Sequence, residues 1–327
     1  MRVTFVTPLA LGALLAACGS ERPDFPSSPS MEAVTQAGRS SWEWSAPVWL
    51  GPLVNSPARD LNPELSPDGL SLYFTSFRDG AAHIYVSQRA SESCPWGAPV
   101  KLPPPINGEA FQFSPDISPD GHYLYFGSSG HGGFGNGDLF VSYREDPTDD
   151  FGWGPPVNLG PAVNTEAEEQ GPQFVAAGGG ELYFNRQLMP TRVFVIPMTV
   201  DGRVTGEAAE VHELNHPTAN TSEVAVRGDG RELFFWSPRP GTIGLPDIFV
   251  STRPTPNSPW SEPRTLGRPV NHEGPDLVVA LSTDGETMIL STARPGGLGP
   301  PDLWMSVRSP DGTTVPDLGG GSDCPAP

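Results

Sequence analysis

Short apolar runs recur along this chain at a regular interval, separated by polar and glycine-rich punctuation. Five of them read LYFTS (72–76), LYFGS (124–128), LYFNR (182–186), LFFWS (233–237) and MILST (288–292). Aromatic and β-branched residues dominate, and at this length the runs are strands and not helices. A second set follows: HIYVSQR (83–89), DLFVSYR (138–144), RVFVIPM (192–198), DIFVSTR (247–253) and DLWMSVR (302–308). Ahead of the first set stand apolar runs ending in turns, ELSPDG (64–69), DISPDG (116–121), AVRGDG (225–230) and ALSTDG (280–285). Asp-Gly between apolar runs is a strong hairpin signal, because both residues tolerate the left-handed backbone of a tight turn. The third copy departs from this, with GGGE (178–181) in place of Asp-Gly and Pro197 interrupting the run that follows.

A further run opens with tryptophan and follows W-[SG]-x-P-x-x-L-[GP]-x-x-[VI]-N: WSAPVWLGPLVN (44–55), WGAPVKLPPPIN (96–107), WGPPVNLGPAVN (153–164) and WSEPRTLGRPVN (260–271). The first two copies start 52 residues apart and the next two 57, but the last interval is 107, about two periods. A degraded copy fits the gap at 208–214. The chain therefore holds five sets of four short strands, which means a radial or stacked β architecture.

The combination SPDGxxLYFxS followed by DIFVSxR resembles the WD40-like, PD40 or TolB-type β-propeller repeat, over roughly 44–308. The resemblance implies four-stranded antiparallel blades around a central channel, in secreted or periplasmic proteins that act mostly as interaction platforms. Its motif is structural, so it carries over no ligand residues. The expected fold is an all-β, five-bladed propeller. The chain starts on a tryptophan run and ends on DLWMSVR (302–308), a strand of the second set, so its last blade lacks an outer strand. Residues 45–50 can supply it, joining the two ends of the chain and removing an exposed edge.

Composition adds an address. The chain has 327 residues, and its 40 prolines and 38 glycines sit at fixed places between the runs, as turn punctuation. A formal charge of −19 repels phosphate backbones and sets nucleic acid aside as a partner. Arg2 precedes an apolar stretch from Val3 to Ala17 that is too short to span a bilayer and reads as a secretory signal. Leu15-Ala16-Ala17-Cys18 looks like a bacterial lipobox. That resemblance implies cleavage before Cys18 and attachment of several acyl chains, which anchor firmly where a single chain binds marginally. Gly19 after the cysteine favours the outer membrane. The expected organisation is a signal peptide at 1–17, a lipidated Cys18 with a flexible tether at 18–43, the propeller at 44–308 and a flexible tail at 309–327. Cys94 and Cys324 remain; in an oxidising compartment they either pair or stay as two separate thiols.

The candidate chemistry lies on one face, here called the top. It is formed by the loops that join the outer strand of one blade to the inner strand of the next. The loops carry Asn55, Asn107, Asn164 and Asn271, with Glu109, Glu166 and Glu273 two residues after an asparagine, and Asp276 nearby. A ring of amides and carboxylates around a channel can bind a cation, a sugar or a basic peptide. Repetition at identical spacing argues for a structural role instead, because a site breaks symmetry. The G-x-x-G-x-x-D loops ending at Asp138, Asp247 and Asp302 lead into strands, so they cap strand starts and do not cradle phosphate. His83, His122, His131, His212, His216 and His272 form no metal motif, and no G-x-S-x-G precedes a helix. The repeated Arg78, Arg239 and Arg294 read as hydrogen-bonding residues between blades, and the motif tryptophans as packing.

The expected function is therefore a lipid-anchored, non-enzymatic platform for an envelope protein, peptide or glycan, without cofactor or metal. The alternative is a carbohydrate-active enzyme, since some five-bladed propellers are glycosidases. It needs two carboxylates about 5–9.5 Å apart, and the candidates are Glu109, Glu166, Glu273 and Asp276. A third reading is a purely structural envelope component.

Overall fold

The five sets of runs form five antiparallel sheets of four strands, arranged as the blades of a propeller in the computed structural model, which describes residues 43–309 and Cys324. From the channel outward, blade 1 contains Asp60–Leu65, Ser71–Ser76, His83–Gln88 and Val100–Lys101. Blade 2 contains Gln112–Ile117, Tyr123–Ser128, Asp138–Tyr143 and Val157–Asn158. Blade 3 contains Glu169–Val175, Glu181–Arg186, Arg192–Pro197 and Ala209–Glu210. Blade 4 contains Ser222–Val226, Glu232–Ser237, Asp247–Thr252 and Arg264–Thr265. The second strand of blade 1, Ser71–Ser76, is buried at every position, because the blade is covered on both sides. Five hydrophobic clusters fill the spaces between neighbouring blades, and no single core exists.

Blade 5 is built from both ends of the chain. Asp276–Leu281, Thr287–Thr292 and Asp302–Ser309 supply its inner three strands. Its outer edge is the N-terminal run, with Val48–Trp49 opposite Met305 and Trp304, and Trp44 opposite Arg308. The run pairs in two short pieces, because Pro47 between them has no N–H to donate. A second closure is covalent: Cys94, which follows the third strand of blade 1, is disulfide-bonded to Cys324. The expected signal peptide, the lipidation expected at Cys18, the expected tether as far as residue 42 and the rest of the tail lie outside the described residues.

Each motif tryptophan is buried beneath an arginine at the end of a blade's third strand. Arg89 lies 4.3 Å over Trp96, Arg144 4.3 Å over Trp153, Arg253 4.1 Å over Trp260 and Arg308 4.8 Å over Trp44. The arginines also bind the turn carbonyls of Gly69, Gly121, Gly230 and Gly285. Blade 3 lost both partners together. Met198 stands where the other blades have arginine, and it is paired with Val204, which stands where they have tryptophan. The Asp-Gly turn of that blade is replaced by a 3-10 turn at Ala177–Gly179, in which Gly178 and Gly179 take φ of 80° and 114°.

Candidate ligand site at the channel mouth

The repeated asparagines are latches. Asn55, Asn107, Asn164 and Asn271 are buried, and each side chain exchanges two hydrogen bonds with one backbone residue of a third strand: Leu303, Ile84, Leu139 and Ile248 respectively. Asn215 does the same to Val193 in blade 3 and completes the set. The amide replaces a missing strand partner, so the loop is held where the outer strand has ended.

The nominated carboxylates do not converge. Glu109 and Glu166 are exposed, and Glu273 is exposed and paired with Arg268. Asp276 is buried and bound by His272, Thr292 and Arg294. Asp60 with Arg78 and Glu169 with Arg186 repeat this ion pair in other blades. The same arginines reach the carbonyls of Val54 and Val163, while Arg239 reaches that of Leu214. Asp138, Asp247 and Asp302 accept two backbone N–H groups each from their own loops, as strand-start caps. His212 is exposed beside Glu210, and His216 accepts from loop N–H groups at Thr218 and Ala219.

The symmetry breaks inside the channel. Every inner strand carries a register shift that bulges toward the axis, after Leu61, Phe113, Gln170, Ser222 and Asp276. A bulge re-aims side chains. The equivalent bulge residues are Asn62, Ser114, Gly171, Glu223 and Val278, and the first four have φ of 51°, 50°, 59° and 48°. Asparagine and glycine adopt this backbone readily, whereas at a serine or a glutamate it costs about 1–2 kcal/mol. Strain held at Ser114 and Glu223 marks a functional candidate. Asn62 Nδ2, Ser114 Oγ and Trp236 Nε1 donate to the Glu223 carboxylate, so it joins blades 1, 2 and 4.

Above Glu223 the channel opens into a cavity of about 440 Å³. Phe77, Phe111, Phe113 and Trp236 give it aromatic walls, with Glu168 and Arg59 among its polar lining. None of these rings belongs to a repeat: blades 1, 2 and 4 contribute them from different positions. Phe113 packs onto the backbone of Gly127, where an added Cβ would lie 2.2 Å from the ring. Burial raises the Glu223 carboxyl above the usual carboxylate range, against the pull of its three donors and of the Arg59 charge. Glu168 is also raised, first by burial and then by the neighbouring charge of Glu169. The sequence reading missed this site. Its signal was present as the one acidic residue among Asn62, Ser114, Gly171, Glu223 and Val278, but the alignment of inner strands was needed to see it.

Below the bulges, side chains of one inner strand tie to the next. Asp116 accepts from Phe174 N and from Gln173 Nε2, and Gln173 accepts from Val226 N. Burial pushes the Asp116 carboxyl up to about 8, while the Phe174 N–H pulls it down; Glu64 beside it is raised by burial and then by the Asp116 charge. The unfolded chain releases such protons near pH 4, at about 3.9 for Asp. The folded state thus holds more protons between about pH 4 and about pH 8, and the stability contributed by the pair is full below that window and is lost as pH rises through it. Asp116→Asn is expected to flatten this decline, measured as urea midpoints at about pH 5 and about pH 8. Parallel pH profiles for the variant and the parent would refute the assignment.

No protein-family model matches the sequence, and no curated protein matches it. Solved structures match the fold. The α-L-arabinofuranosidase of Podospora anserina, solved with cellotriose, aligns at a TM-score of 0.56 and 13% identity, over 83% of this chain and 98% of that one. A thermostable family-43 glycoside hydrolase aligns at 0.54 and 12%, over 85% and 98%. The endo-arabinase of Bacteroides thetaiotaomicron aligns at 0.53 and 16%, over 81% and 97%. TolB of Acinetobacter baumannii aligns at 0.45 and 14%, over 85% and 67%, too loosely to add to the argument. At these identities the likeness is one of fold: a five-bladed propeller.

Proposed function

We propose that the protein is a lipid-anchored propeller of the cell envelope that binds a peptide or glycan group in the cavity at its channel mouth. The observation that carries this reading is the set of partly open aromatic rings around Glu223. A packing residue buries its ring, whereas here Phe111 is half exposed and Phe77, Phe113 and Trp236 keep part of their surface toward the cavity. Concave aromatic walls with a few convergent polar groups are the ordinary form of a ligand site. A second reading, glycoside hydrolysis, is favoured by two carboxylates on one cavity, Glu168 and Glu223, both raised by burial; the reaction needs one of them protonated as general acid and the other ionised. The glycoside hydrolases aligned above add to that reading only through the shared fold.

The purified protein, Glu168→Gln and Glu223→Gln are to be tested against a glycan panel and chromogenic glycosides. Saturable binding without turnover, weakened in both variants, supports the platform. Turnover abolished by one folded variant supports hydrolysis and overturns the non-enzymatic reading.

The anchor is part of the same proposal and rests on Leu15-Ala16-Ala17-Cys18. Cys18→Ala is expected to move the protein from the membrane fraction to the soluble fraction. A variant that still sediments with membranes after a high-salt wash has another anchor.

A further inference from the structure

Glu223 differs from the repeated acidic groups near the top face in what neutralises it, and Glu168 on the same cavity likewise forms no ion pair among the described residues. Asp60, Glu169 and Asp276 each have an arginine in contact, and Asp138, Asp247 and Asp302 each cap a loop. Glu223 is held only by neutral donors, the Asn62 amide, the Ser114 hydroxyl and the Trp236 indole. Arg59 lines the same cavity, but its guanidinium lies 5.3 Å over the Phe77 ring and forms no ion pair with Glu223 among the described residues. A carboxylate in a channel without a counter-ion is costly unless something neutralises it. The walls around it are ring faces, which attract cations through their quadrupoles, most strongly at tryptophan.

We propose that the cavity takes its ligand through a cationic nitrogen, an alkyl or quaternary ammonium group that sits against Phe111, Phe113 and Trp236 and becomes the counter-ion of Glu223. The proposal rests on the reading of this cavity as the ligand site and names the chemistry of the group that enters it. The cavity volume of about 440 Å³ accommodates a trimethylammonium or aminomethyl group together with its first substituents. The three donors hold the carboxylate in one orientation, so little side-chain freedom is lost on binding. Arg59 lowers the net attraction, and its removal should strengthen it. A neutral ring ligand would find aromatic faces here but would leave the charge of Glu223 uncompensated.

The probes are choline and tetramethylammonium, with 3,3-dimethylbutan-1-ol as the uncharged isostere of choline and neutral oligosaccharides as the contrast. Binding to the full lipidated chain in detergent is followed by calorimetry and by tryptophan fluorescence. Choline is expected to bind at least about tenfold more tightly than the alcohol. Glu223→Gln, which keeps the acceptor for the Trp236 indole, is expected to remove that preference, and Trp236→Leu to weaken choline by a similar factor. Arg59→Gln is expected to tighten choline. Equal binding of choline and the alcohol, or an unchanged preference in Glu223→Gln, overturns the cationic ligand. Binding of oligosaccharides but not of choline, lost in Trp236→Leu, overturns it while leaving the cavity as the ligand site. If no probe binds to the parent protein, the proposal fails; if glycans that bind to the parent are unaffected by Trp236→Leu and Glu223→Gln, the cavity reading fails as well.

Discussion

Trp153→Ala is expected to lower the stability of the propeller by about 3–5 kcal/mol. The indole is only 4% exposed. It meets Tyr73 of blade 1 edge to face at 6.4 Å between ring centroids, and Arg144 lies 4.3 Å over it. Arg144 is itself buried, paired with Asp150 at 3.0 Å and hydrogen-bonded to the Tyr73 hydroxyl. Asp150 also accepts from Ser71, Tyr73 and Gln88, so one tryptophan covers a polar network that joins blades 1 and 2. Deleting it leaves a void and opens a buried ion pair to water, and both effects destabilise. Urea unfolding with an unchanged m-value is the measurement. A loss below about 1 kcal/mol would remove the tryptophans from the packing account. In blade 3 Met198 and Val204 stand where the other blades have the arginine and the tryptophan.

The largest effect is expected from opening the ring. Removing 19–54 deletes the outer strand of blade 5. It also deletes buried Trp44, Leu50 and Val54 and the Trp49 indole bond to Asp302. Two of the five inter-blade clusters lose members. Removing 19–42 leaves every one of these contacts in place. The longer deletion is therefore expected to cost more than about 5 kcal/mol relative to the shorter one, enough to abolish cooperative unfolding. Equal melting temperatures would contradict closure by the N-terminal strand. The disulfide closes the ring a second time across a separation of 230 residues. In the chain-entropy account a loop of that length contributes about 5 kcal/mol, so reduction should lower the midpoint of the intact chain even with the strand present.

Much of this fold is legible from local chemistry. Asp-Gly turns, strand-length aromatic runs and the tryptophan spacing depend on neighbours a few residues away, and repetition multiplies a weak signal five times. The displaced tryptophan run at the front of the chain even determines that the ring must close with residues from both ends. The degraded copy at 208–214 is placed by spacing alone, and in the structure Ala209–Glu210 pairs with Phe194 and Val195 as that spacing requires. Repetition also misleads, because it draws attention to residues that every blade shares. Asn55, Asn107, Asn164 and Asn271 repeat because every outer strand ends one hydrogen-bonded pair too soon.

The candidate site depends on what the blades do not share, brought together from distant parts of the chain. Asn62, Ser114 and Glu223 are separated by up to 161 residues, yet they share one carboxylate. Nothing in a local window couples them. The bulges that turn them into the channel arise from register shifts between paired strands, and these are set by the twist and closure of the whole ring. The disulfide was open for the same reason: Cys94 and Cys324 become neighbours only when the last blade reaches the first. The sequence by itself determined the blades, their number and the way the ring closes, because those follow from hydrogen bonding and burial within each repeat. Only the tertiary structure decided which side chains face one another across the axis, because that depends on five sheets converging on a single channel.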